Sequence, residues 1–175
     1  MATSVAIIDD DSAIRGALET LIGASGGLSN GGAFESVEQA MPALRRAPPD
    51  VLLLDIELPG TPGDRAVSAL REACPEMRVL MLTVFADRER LFVSLCNGAH
   101  GYLLKSTPPG QLLEAILAAR DGGSPFSPGI ASHIVDLFRK TGGPAADVAL
   151  APQEKRLLEL FVEGYSYKTA AAKMN

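Results

Sequence analysis

Short apolar runs alternate along the chain with stretches in which apolar residues recur every three or four positions. The runs are Val5 to Ile8, a glycine-interrupted stretch near Leu28 to Ala33, Val51 to Leu54, Arg78 to Leu82 and Gly101 to Leu104. A brief, almost wholly apolar run bounded by polar residues is what a strand buried on both faces leaves in a sequence. The stretches between them carry helical stripes. Ile14, Leu18, Leu21 and Ile22 follow the first run, and Leu112, Leu113, Ile116 and Leu117 follow the fifth. Helices are predicted between these at about Ser36 to Arg46, Asp64 to Ala73 and Arg88 to Cys96. Regular strand–helix alternation predicts an α/β fold, a doubly wound five-stranded parallel sheet, ending near Gly122.

The pattern then changes. Two breaker clusters, "DGGSPFSPG" and "TGGPAAD", flank a short amphipathic stretch with Ile134, Val135, Leu137 and Phe138. This reads as a linker with one helix. After it Leu157, Leu160 and Phe161 share a helical face, Gly164 is a stop and Ser166 an N-cap. The predicted division is 1–122 for the first domain, 123–148 for the linker and 149–175 for a helical remainder.

Composition narrows the class of protein. Of 175 residues, 47% are hydrophobic and 21% charged, the balance of an ordinary globular chain. A net charge of −5 argues against a surface dominated by contacts to nucleic acid or anionic membrane. Cys74 and Cys96 suit a reducing compartment rather than a disulfide scaffold. No apolar stretch is long enough to span a bilayer, and the first strand begins by about Ser4, leaving no room for a secretory signal. The expected location is the cytoplasm.

The candidate chemistry lies just past the apolar runs, because ligands of parallel α/β sheets bind outside the carboxyl ends of the strands. Asp9, Asp10 and Asp11 follow the first run, Asp55 the third, Thr83 the fourth and Lys105 the fifth. Asp11 and Ser12 read as the cap of the first helix. Crowded carboxylates repel one another, and a hard divalent cation such as Mg²⁺ removes the conflict. A lysine beside such a cation suits an incoming phosphoryl group. A carboxylate such as Asp55 can then carry that group as an acyl phosphate.

"IIDDDS", "VLLLDIELPG", "MLTVF" and "GYLLKS", in this order and spacing, resemble the receiver domain of bacterial two-component response regulators. The resemblance covers about Ser4 to Asp121. It implies a flavodoxin-like sheet of order 2-1-3-4-5 and Asp55 as phosphoacceptor. It also implies Mg²⁺ held by Asp10 directly, Asp9 through water, Asp55, and the Glu57 carbonyl. Thr83 and Lys105 match the switch hydroxyl and phosphate-binding lysine, and Tyr102 the aromatic whose rotamer follows phosphorylation. Such a protein is a signalling phosphoacceptor, not an enzyme in the ordinary sense, although it assists its own phosphotransfer and dephosphorylation. Its implied partner is a sensor histidine kinase, and the helix carrying Leu112 and Ile116 could either form a homodimer or only pack on the sheet.

"LAPQEKRLLELFVEGYSYKTAAAKMN" resembles the start of a LuxR/NarL-type transcription-regulating, DNA-binding domain. Ala151 stands where that family usually has Thr or Ser, so the capping box with Glu154 lacks its hydroxyl. The groove-entering helix would lie beyond Asn175, so DNA binding is expected of a longer chain rather than of this one. Lys155, Arg156, Lys168 and Lys173 form only a thin basic patch.

Three other readings compete. A haloacid-dehalogenase-like phosphatase places its nucleophilic Asp first, with a second Asp two residues on. Here the acidic pair leads and Glu57 holds that second position. A nucleotide-binding module needs a G-x-G-x-x-G turn after the first strand, where Asp9 to Ser12 stand. A receiver-like interaction protein working without phosphorylation would not need the full set of acidic pair, acceptor, hydroxyl and lysine.

Overall fold

The computed structural model describes residues 2–84 and 87–140. Its elements run β1 (Thr3–Ile8), α1 (Ser12–Ala24), β2 (Leu28–Phe34), α2 (Val37–Arg46), β3 (Val51–Leu54), α3 (Gly63–Ala73), β4 (Arg78–Thr83), α4 (Arg88–Cys96), β5 (Gly101–Leu104), α5 (Pro109–Arg120) and α6 (Pro128–Lys140). The five strands form one parallel sheet in the order β2-β1-β3-β4-β5, as the resemblance implied. The expectations for residues 141–175, including the helix-turn-helix start and its four basic residues, lie outside the described residues.

Each strand divides its side chains between two cores, as a period of two requires. Val5, Ile7, Leu53, Leu80 and Leu103 face α1 and α5, with Ile22 and Ile116. Ala6, Ile8, Leu52, Leu54, Val79, Met81 and Tyr102 face the other way, with Leu44, Val67, Leu70 and Leu91. Helices therefore cover both faces, which is why the central strands are apolar throughout.

The second strand reaches one residue past its expected end, to Phe34, and its glycines have a structural cause. The register with β1 slips between Val5, opposite Asn30, and Ala6, opposite Gly32. Gly32 takes φ +122°, and a Cβ there would meet the Phe34 ring. A bulge with a left-handed residue favours glycine, and the same glycines weaken the strand's apolar signature.

The sheet reverses its winding between β1 and β3, since β1 is followed by β2 on one side and β3 lies on the other. The crevice outside the carboxyl ends of these strands is where this architecture accepts ligands. The stretch after α5 is tied down rather than free: Phe126 makes a parallel bridge to Tyr102, and Ile130 of α6 is fully buried. Among the described residues no helix is long and apolar enough to cross a membrane.

Candidate functional site

Strand register sets the site. Ile8 of β1 lies opposite Leu54 of β3, so Asp9 and Asp55 leave the sheet side by side. Asp55 N–H donates to the Ile8 carbonyl at 2.8 Å, extending the ladder to the first polar residue. Both carboxylates are buried, Asp9 at 1% and Asp55 at 4% exposure, whereas Asp10 faces solvent.

The three consecutive aspartates divide the work at this turn. Asp11 caps α1, accepting from Ala13 N–H at 2.8 Å. Asp9 Oδ1 accepts from Asp11 N–H at 3.0 Å, which fixes its carboxylate within the turn. Asp9, Asp10 and Asp55 each offer a carboxylate oxygen, and these oxygens lie within 4.8 Å of one another.

Lys105 crosses from β5 to meet two of them. Its Nζ stands 2.6 Å from Asp9 Oδ2, an ion pair without a directed hydrogen bond, and 3.0 Å from Asp55 Oδ2, to which it donates. Asp55 Oδ1 accepts from Ile56 N–H at 2.7 Å, so its carboxylate is held at both oxygens. Burial pushes the Asp55 carboxyl above the usual carboxylate range; Lys105 pulls it back and the Asp9 charge pushes it up again. Burial works against the Lys105 ammonium, but its close contacts with the Asp9 and Asp55 carboxylates and their charge outweigh it and hold it above the ordinary lysine value.

Three carboxylates against one ammonium leave the cluster negative. Its donors are all oxygen, with no imidazole or thiolate in the group, and Asp10 keeps the cluster open to water. That donor set fits a hard divalent cation that keeps part of its hydration shell.

The remaining expected residues make no side-chain hydrogen bond to this cluster among the described residues. Thr83 ends β4 and is buried, and its carbonyl accepts from Lys105 N–H at 2.7 Å. With Glu57, Asp87 and Arg90 it lines a cleft of about 230 Å³. The Glu57 carboxylate turns to Arg90 on α4 at 3.5 Å, an exposed pair worth little in stability. Tyr102 is fully buried, and its hydroxyl has no hydrogen-bond partner among the described residues. Burial and the nearby Asp87 charge push that phenol well above its ordinary value.

Two residues that the sequence reading did not single out shape the pocket. Arg15 Nη1 donates to the carbonyls of Asp9 at 2.7 Å and Asp10 at 2.9 Å, pinning the acidic turn from α1. Gly63 opens α3 against the end of β3, where a Cβ would collide with the Asp55 carbonyl oxygen. The "PGTPGD" loop was the available signal for Gly63. Arg15 had none beyond its position one turn into the helix.

Comparison with known proteins agrees with this fold. Residues 5–117 match the family described as the response regulator receiver domain. The oxygen regulatory protein NreC of Staphylococcus carnosus (strain TM300) is 35% identical over 133 residues, covering 72% of this chain and 61% of that protein. The chain thus spans less than two thirds of NreC's length. The uncharacterized transcriptional regulatory protein YxjL of Bacillus subtilis (strain 168) is 31% identical over 157 residues, covering 89% of this chain and 72% of YxjL. Among solved structures, a two-component response regulator of the LuxR family from Aurantimonas sp. SI85-9A1 superposes with a TM-score of 0.72 at 26% identity. That match covers 78% of this chain and 98% of the other.

Proposed function

Since this chain belongs to the response regulator receiver family, we propose that Asp55 is its phosphoacceptor and that the pocket around it is a switch. The observation that carries the reading is the Asp55 carboxylate itself. It is buried beside Asp9, held by Ile56 N–H, and met by the Lys105 ammonium at 3.0 Å. The competing phosphatase and nucleotide-binding readings are not favoured by the family match.

The donor is a phosphohistidine on a sensor kinase. An Asp55 oxygen attacks phosphorus in line; a P–O bond forms, the P–N bond breaks, and the imidazole leaves with the electron pair. Asp9, Asp10, Asp55 and the Glu57 carbonyl would hold Mg²⁺. Once bound, the ion supplies positive charge to the carboxylates and the phosphoryl oxygens. Lys105 moves its charge from Asp9 toward the new phosphoryl oxygens, and Thr83 donates its hydroxyl to them. Tyr102 and the β5 edge then change the surface offered by α4, β5 and α5.

In a longer chain that surface, or the homodimer it permits, would govern DNA binding and transcription. The protein would work in the cytoplasm, where its kinase partner presents the phosphohistidine. The test is incubation with a small-molecule phosphodonor and Mg²⁺, followed by intact mass. One phosphate is expected on the wild type and none on Asp55→Asn. An adduct undiminished in the variant would overturn the assignment.

A further inference from the structure

After α5 the chain turns through Gly122 and Gly123 and comes back along the outer edge of β5. There Tyr102 N–H donates to the Pro125 carbonyl at 3.0 Å, and Ser127 N–H to the Tyr102 carbonyl at 3.2 Å. Gly101 makes room for this approach, since a Cβ there would stand 2.5 Å from the Pro125 carbonyl oxygen. Ile130, in the first turn of α6, is fully buried in the same core as Tyr102 and Leu91. The edge strand of the sheet is thereby covered by the chain's own continuation.

Ser127 does more than fill this edge. It is 7% exposed, and its hydroxyl accepts from Leu104 N–H at 3.1 Å while sharing a hydrogen bond with the Thr107 hydroxyl at 3.0 Å. Leu104 and Thr107 are the two ends of one turn, closed by Thr107 N–H to the Leu104 carbonyl at 2.9 Å. Lys105 is the second residue of that turn. One hydroxyl from outside the five-stranded unit therefore bridges both ends of the turn whose ammonium reaches Asp55.

We propose that Ser127 is a positioning residue for Lys105 and that, through it, the segment from Pro125 to Ile130 senses whether a phosphoryl group sits on Asp55. The inference rests on the reading of Asp55 as phosphoacceptor. A lysine side chain is flexible, so its reach depends on where the backbone holds its Cα. That backbone is held on one side by Lys105 N–H to the Thr83 carbonyl at 2.7 Å and on the other by the Ser127 clasp. Drawing Lys105 from Asp9 toward phosphoryl oxygens shifts the turn and loads the clasp at the start of α6. The coupling is reciprocal: loosening the clasp lowers the affinity of the pocket for a phosphoryl group.

The test uses the whole chain, with beryllofluoride and Mg²⁺ as the phosphoryl mimic. Binding is followed by fluorine NMR, and amide exchange is read at Leu104 and Ile130. In the wild type the mimic is expected to change exchange at both amides about tenfold or more. Ser127→Ala is expected to weaken mimic binding about threefold to tenfold while leaving Mg²⁺ affinity alone unchanged, and Ser127→Thr to restore it. Thr107→Val removes the other partner and is expected to act in the same direction more weakly. A folded Ser127→Ala within twofold of wild type overturns the inference. If that variant does not fold, Thr107→Val with unaltered mimic affinity does so. Wild-type exchange indifferent to bound mimic also overturns it. A wild type that binds no mimic is a separate result, and it overturns the reading of Asp55.

Discussion

The two ends of this sheet are built on opposite rules. At the amino ends of the strands, polar groups meet complementary partners. Ser4 N–H donates to the Asp50 carboxylate at 2.8 Å, Arg120 donates to the Thr3 hydroxyl at 2.9 Å, and Val79 N–H donates to His100 Nδ1 at 3.0 Å. At the carboxyl ends, Asp9 and Asp55 are buried side by side with one lysine between them, and the Tyr102 hydroxyl is buried without a partner among the described residues. Buried polar groups are ordinarily paired, and those that are not cost free energy. The lower end is arranged for stability. The upper, carboxyl end carries an excess of buried negative charge that a bound cation would relieve.

The comparison is broken most directly at Lys105. Without a divalent cation, its ammonium is the positive charge in contact with two buried carboxylates. Removing one partner from a buried ionic cluster leaves the others uncompensated, so Lys105→Met is expected to lose about 3 kcal/mol at neutral pH. Because burial already raises the Asp55 pKa, protonation relieves the variant early, and its deficit against wild type should shrink as pH falls. Added Mg²⁺ should raise its stability more than it raises that of the wild type. Urea unfolding with and without Mg²⁺ checks all three. An equal Mg²⁺ effect on both proteins would remove the claim that lysine stands in for part of the cation's charge.

The lower end should show the reverse behaviour under acid. His100 is partly buried; burial first, then the charges of Arg78 and Arg71, lowers its pKa from 6.5 to about 4. Its Nδ1 accepts a backbone hydrogen bond and must stay unprotonated to do so. An unfolded chain therefore takes up a proton near pH 6.5 that the folded chain refuses until about pH 4. Full stability is present above pH 6.5, is lost as pH falls from 6.5 to 4, and levels off below that window for this group. Solvent screening at a partly exposed site reduces the total to about 1–2 kcal/mol. Chemical denaturation across this range, compared with His100→Asn, isolates the contribution. An unchanged acid slope in the variant would show that His100 is not its source.

How far each end could be read from sequence follows from the same contrast. The upper end announces itself because its residues sit at fixed offsets from apolar runs: Asp9 after Ile8, Asp55 after Leu54, Lys105 after Leu104. Register does the rest, and the structure brings these three together although Lys105 and Asp55 are 50 positions apart. What escaped the reading lacks such an offset. Arg15 looks like any helical arginine until its contacts with the Asp9 and Asp10 carbonyls are seen. Ser127 sits in a Pro/Gly-rich stretch that reads as linker, because the pairing of residues 125–127 with β5 consists of main-chain bonds that leave almost no side-chain pattern. The bulge at Gly31 and Gly32 obscured β2 in a related way, since the residues that permit the irregularity also erase the strand's apolar signature.

The smallest expected effect tests whether the upper-end rule reaches into β5. Tyr102 is fully buried, and it belongs to the same apolar core as Leu91 and Ile130. Only its hydroxyl is out of place, buried with no partner among the described residues. Deleting a hydrogen-bonded hydroxyl ordinarily costs about 1 kcal/mol. Deleting an unpaired one while keeping the ring removes a desolvation cost and leaves the packing unchanged. Tyr102→Phe is therefore expected to raise stability by about 0.5 kcal/mol, an opposite sign to the loss that Thr3→Val should cause at the lower end by removing the Arg120 contact. Both are read from urea midpoints at constant slope. If Tyr102→Phe destabilises as Thr3→Val does, the phenol has a partner in solution and the contrast between the two ends narrows to the carboxylates. If it stabilises, the hydroxyl is kept at a cost in folding free energy, as a switch residue waiting for its second position would be.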